Sequence, residues 1–198
     1  MRKKSHILLA RYLADQMVAA DELQSHRKAF CLGSILPDMK PSFLTTKHEF
    51  NGTFAQVGER MRDLTVDCDL YERNERVYWR RLGEVIHYVA DYFTFPHNET
   101  YGGTLLEHGQ YEKELKNGLK TYIASGQAWN HVKEDEDFKS LQEILVYIQR
   151  NHRQYLSKER NVKDDIAFIL RVCYQVVQGM FRLLAARYQR AGIVLQYA

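Results

Sequence analysis

The chain has 198 residues, 45% of them hydrophobic and 27% charged, and its three prolines are too few for a collagen-like or disordered polymer. That length buries the core of one domain without disulfide staples. The 28 basic and 25 acidic side chains leave a net charge of +3 with no concentrated basic stripe, which argues against duplex nucleic acid as a partner.

Apolar residues recur at helical spacing from end to end and alternating runs are scarce, so the sequence predicts an all-α, single compact multi-helix domain over residues 1–198. Ser5 is the expected cap of a first helix reaching about Ala20, with Ile7, Leu8, Tyr12 and Val18 turned inward. The opening MRKKSHILLARYLAD has the basic start of a signal peptide, but Arg11 and Asp15 interrupt its apolar stretch. No continuous apolar run approaches the roughly 20 residues of a bilayer span, so no transmembrane segment and a cytoplasmic location are expected.

A second helix is expected from Asp21 to a point before Pro37, and the following LPDMKPSF holds two prolines that forbid a helix interior. Further helices are expected over 51–70 and 74–95, the second presenting Val77, Leu82, Val85, Ile86 and Val89 on one face and stopped or kinked at Pro96. After Gly102 and Gly103 the pattern predicts a helix over 104–124, with Gly109 and Gly118 as weak points. KEDED at 133–137 reads as a solvated linker, and helices over 138–157 and 162–189 complete the bundle. The last is the most apolar.

Cys31, Cys68 and Cys173 are odd in number and widely spaced, which predicts free thiols in a reducing compartment and no thiolate metal knuckle. Cys31 and Cys173 sit in apolar surroundings and read as buried thiols, not nucleophiles. There is no glycine-rich nucleotide loop, no HExxH helix and no adjacent His-Asp pair.

The chemistry concentrates in HYVADYFTFPHNETYGGTLLEHGQYE, residues 87–112. His87 and Asp91 stand four apart on one helix face, His108 and Glu112 repeat that spacing on the next helix, and His97 follows the turn at Pro96. Two antiparallel helices could thus aim two imidazoles and two carboxylates into one cavity. Eight histidines in a chain of this acidity give roughly one such pair by chance, and His131 with Asp135, beside the charged run, reads as a solvent-facing example. The other two pairs gain weight from their company, including Asp38 and His48 upstream. Imidazole and carboxylate donors suit zinc.

The ordered set resembles the bacterial zinc-dependent phospholipase C family, which is related in architecture to the S1/P1-type nucleases. The resemblance is carried by HxxxD, then His, then HxxxE, here His87, Asp91, His97, His108 and Glu112, with Pro37-Asp38, His48 and His6 upstream. It implies a helical phospholipase C/P1 nuclease fold and zinc-dependent hydrolysis of a phosphodiester, a phospholipid head group being the family's substrate. Asp38, His48, His87 and Asp91 look like one metal's ligands, and His97, His108 and Glu112 like another's. A third metal would have only His6 and a shared Asp91. The resemblance further implies a water held between metals as nucleophile, with Asp38 orienting it or accepting its proton. Family members use a processed N-terminus at the third site, whereas here Met1 precedes His6 by a short basic arm, which predicts two well-filled zinc sites and a weak third. The alternatives are an S1/P1-like nuclease and a noncatalytic, metal-stabilised helical interaction protein.

Overall fold

A computed structural model describes residues 1–17, 20–39, 49–128, 136–158 and 161–193, and among them it is all helix and turn, with no strand. The helices are α1 (Lys3–Gln16), α2 (Ala20–Ser25), α3 (Arg27–Gly33), α4 (Phe50–Thr65), α5 (Glu75–Tyr92), α6 (Leu105–Ala124), α7 (Leu141–Leu156) and α8 (Val162–Arg190). Short 3-10 turns occupy Pro37–Met39 and Phe95–His97. His48, Val18, His131 and Asp135 lie outside the described residues.

Ser5 does not cap α1. The Arg2 carbonyl accepts from the Ser5 and His6 amides, so the helix begins three residues earlier than a Ser5 cap implies and Ser5 is buried inside it. That register turns Leu9, Ala10, Tyr12 and Leu13 into the core and leaves Ile7 and Leu8 only partly covered. It also carries His6 inward, which a helix started at Ser5 would have left in its first frayed turn.

The single helix expected after Asp21 is broken at His26 into α2 and α3. Beyond the break α3 lies backbone to backbone on α5. A Cβ at Gly33 would stand 1.9 Å from the Arg80 carbonyl oxygen, and one at Gly83 would stand 2.3 Å from that of Phe30. Only hydrogen fits at either position. Gly83→Ala gains about 1 kcal/mol of helix propensity but must force the helices apart at about 1–3 kcal/mol. A net loss of stability is therefore expected in urea unfolding, and a more stable variant would contradict this packing.

α4 ends at Thr65, earlier than the apolar pattern suggests, because Arg187 of α8 donates to the carbonyls of Thr65 (2.5 Å) and Cys68 (2.9 Å) and satisfies groups that a continuing helix would have used. Asn74 caps α5 by accepting from the Val77 amide. Pro96 does close the segment, in a 3-10 turn just past α5. α6 runs unbroken through Gly109 and Gly118, opened by a capping box between Thr104 and Glu107. It rests chiefly on α8 and α1. α1 contacts both α5 and α6, the two helices that carry the HxxxD and HxxxE pairs.

α8 is long and apolar enough by length and composition to cross a membrane, yet 72% of its most apolar window is buried inside this domain. It is the core helix, packed on α4, α5, α6 and α7. The three cysteines are free, and burial raises the proton affinity of each, so none is poised as a thiolate.

Candidate metal centre

α5 presents His87 and Asp91 one turn apart, both fully buried. His87 Nδ1 lies 2.8 Å from the Ser34 carbonyl, and because a carbonyl only accepts, Nδ1 carries the proton. The Nε2 lone pair is thereby directed at the carboxylates, 3.2 Å from Asp91 Oδ2 and 3.6 Å from Asp38 Oδ1. The close α3–α5 packing is what brings the Ser34 carbonyl to that nitrogen. α1 slides the His6 ring over His87, with centroids 3.9 Å apart, and sets His6 Nε2 3.3 Å from Asp91 Oδ1.

The second group forms where the turn after α5 meets α6. His97 Nε2 is 3.3 Å and His108 Nε2 3.4 Å from Glu112 Oε1, while His97 Nδ1 is 3.6 Å from Asp91 Oδ2. Asp91 therefore faces both groups. Between them sits the Met1 amine, 2.5 Å from Asp91 Oδ1, 2.9 Å from His97 Nε2 and 3.4 Å from Glu112 Oε1. The short basic arm is folded inward, with Met1 buried.

Two supports hold His97 in place. Asp165, buried on α8, accepts from the Phe95 amide (2.9 Å), the Tyr111 hydroxyl (2.9 Å) and the Tyr155 hydroxyl (2.7 Å). It thus ties the 95–97 turn and the residue before Glu112 to the core helix. His152 Nε2 donates to Asn98 Oδ1 at 3.0 Å, and Asn98 in turn donates to the Thr94 carbonyl.

Electrostatics follow this crowding. Burial alone would raise the Asp91 carboxyl, but His97, the Met1 ammonium, His6 and His87 outweigh it and hold Asp91 well below the usual carboxylate range. Burial likewise works against the Met1 ammonium, and Asp91 and Glu112 reverse it, leaving the amine above its ordinary 8.0. Glu112 is held down to about 2, against its own burial, by the His97 hydrogen bond and the Met1 ammonium. His6 is pushed down to about 3, first by burial and then by His87, so it is a neutral imidazole at pH 7.

His6 tests whether the residues present suit a metal. Neither of its buried ring nitrogens makes a hydrogen bond, a costly arrangement for a core side chain and an appropriate one for a ligand. The ligand atoms of His6, His87 and Asp91 lie within 4.8 Å of one another, as do those of His97, His108 and Glu112. Both sets offer nitrogen and oxygen donors that suit zinc. His6 groups with His87 and Asp91, while Asp38 Oδ1 stands 3.6 Å from His87 Nε2 at that set's edge.

The two sets differ in access. A cavity of about 740 Å³ is lined by Met1, Lys3, Asp38, His97, His108 and Glu112 among others, whereas His6, His87 and Asp91 lie behind it.

The family model for zinc-dependent phospholipase C matches residues 5–162, roughly four-fifths of the chain and all eight residues singled out in the sequence. The chain belongs to the zinc-dependent phospholipase C family. No curated protein and no solved structure gives a match. Family membership together with the two ligand sets makes this a metal-dependent hydrolase. The match ends at the first residue of α8, so Asp165 lies outside the family's common segment. Sequence reasoning missed Ser34, Asp165 and His152, of which only Asp165 left a signal, an acid on the apolar face shared with Ile169 and Val172.

Proposed function

We propose that this protein is a zinc-dependent phosphodiesterase whose substrate is a phospholipid head-group ester, with zinc held by His6, His87 and Asp91 in one site and by His97, His108 and Glu112 in the other. The observation that carries this reading is the pair of ligand sets joined through Asp91, one buried and one lining an open cavity. A sealed cavity would have favoured a purely structural metal, but this one opens at the exposed Leu105 and Gly103. Its volume fits a diester with a small head group and excludes a duplex.

Bound zinc would supply Lewis acidity toward phosphoryl oxygens and bring the deprotonation of water near neutral pH. Asp38 lines the cavity beside His87, where its carboxylate orients the attacking water and accepts its proton. The Lys3 ammonium at the wall attracts the phosphate charge. His87 keeps its ligating nitrogen unprotonated because Ser34 holds the proton on the other.

Elemental analysis of zinc per chain, alongside hydrolysis of phosphatidylcholine, a water-soluble diester and single-stranded DNA, tests the reading. Wild type should hold two zinc ions and cleave the first two substrates. His6→Ala and His97→Ala should each lose one ion and at least about a hundredfold in rate. Zinc-loaded protein inert on all three substrates would favour a metal-stabilised interaction protein, and cleavage of DNA alone would favour a nuclease.

A further inference from the structure

We infer that Leu105 and Leu106, at the tip of α6, seat the domain on a phospholipid surface with the cavity mouth toward the head groups. The inference rests on the phosphodiesterase reading for its substrate, and on separate observations for its geometry. Leu105 is 92% and Leu106 72% exposed, adjacent to each other in the first turn of a helix. The turn is not a loose loop. Thr104 Oγ1 accepts from the Glu107 amide, and the Glu107 carboxylate accepts from the Thr104 amide at 2.7 Å, so the two leucines project from a fixed backbone and inserting them orders little that was free.

Their surroundings select the occupant. Leu105 is also a wall of the cavity that holds His97 and His108, so the apolar tip and the site share a rim. Lys3 stands on that rim, and exposed Arg2 is tethered beside it by donating to the Gly109 carbonyl of α6. Two leucines with flanking cations match the boundary between acyl chains and phosphates. A partner helix would need the apolar face to continue along α6. The positions one and two turns on from the leucines are Gly109, Gln110, Glu112 and Lys113, which give no stripe to pack against.

Leu106 lies outside the cavity lining, so it can be changed without touching the site. Leu106→Trp should show a blue-shifted emission on adding phosphatidylcholine vesicles, and a larger one when phosphatidylserine is included at low salt. Leu106→Glu should cosediment with the same vesicles about tenfold or more weakly than wild type, while its hydrolysis of a water-soluble diester is unchanged. Equal cosedimentation of Leu106→Glu and wild type, or a Leu106→Trp emission that shifts with protein concentration but not with lipid, would overturn the inference, the second result in favour of self-association. The vesicle measurements need no turnover. A wild type that binds vesicles through Leu106 but cleaves no diester would sink the phosphodiesterase reading and leave the docking surface standing.

Discussion

Asp91→Asn should lower the zinc content from two ions per chain to at most one and reduce hydrolysis at least about a hundredfold, while leaving the side chain's size unchanged. The carboxylate faces His6 and the Met1 ammonium through one oxygen, and His87 and His97 through the other. An amide replaces one of those oxygens with a donor, which on one side meets the Met1 ammonium, itself a donor, and on the other hydrogen-bonds to the His87 Nε2 lone pair and so occupies the nitrogen a metal would use. The cost extends to the metal-free protein. Removing one partner of a buried ion pair leaves the other charge uncompensated, worth about 3–5 kcal/mol, so urea unfolding of metal-free Asp91→Asn should fall well below that of wild type. Unchanged zinc stoichiometry in the variant would show that Asp91 does not join the two sites.

The second large effect is expected at Asp165, which touches no proposed ligand. Asp165→Ala removes the acceptor shared by the Phe95 amide and the hydroxyls of Tyr111 and Tyr155, and losing the partner of a buried donor such as the Tyr155 hydroxyl costs about 1–3 kcal/mol. The turn bearing His97 then loses its tie to α8, and zinc affinity at the cavity-facing site should drop with stability. Asp165→Asn should rescue both, since its carbonyl can still accept from Phe95 and Tyr111 while the Tyr155 hydroxyl rotates to accept from its amide.

A pH readout separates the two forms further. Burial pushes the Asp165 carboxyl up to about 6, against its three hydrogen bonds and with help from neighbouring Asp164. The folded state therefore holds the proton more tightly than the unfolded chain, whose carboxyl titrates near 3.8. This contribution is complete below pH 4 and is lost as pH rises through 6, on the order of 3 kcal/mol. Asn cannot titrate. Unfolding free energies measured from pH 4 to pH 7 should show wild type losing stability relative to Asp165→Asn across that window, and parallel curves would show that Asp165 is ionised throughout.

Most helices were legible because each buries a stripe at the 3.6-residue period, and the HxxxD and HxxxE pairs were legible because that same period stacks residues four apart. His6 was visible as an ordered landmark facing Asp91, but its stacking on His87 was not, since that depends on a helix register set by the Arg2 carbonyl rather than by a capping side chain. The break at His26 was hidden for a related reason. What fixes α3 is its backbone contact with α5 through Gly33 and Gly83, a long-range fit with no local pattern. Ser34 acts on His87 through its carbonyl, a group every residue possesses, so no side-chain code could announce it. His152 lies in no motif and is stacked on Phe50 with centroids 4.0 Å apart while bracing Asn98, contacts that its place in the sequence does not announce.

The passage of α1 between α5 and α6 has a consequence for how the protein is made. His6 and Asp91 are roughly 85 residues apart, and Glu112 is farther still. During synthesis α1 emerges ahead of α5 and α6 and carries one ligand into a chain that still lacks theirs. The buried set can assemble only after α5 has left the ribosome, and the cavity-facing set only after α6 has followed. Contacts of such long range form late in folding, after the loops between them have closed. A metal held by the buried set would therefore be bound only once the first and fifth helices have found each other.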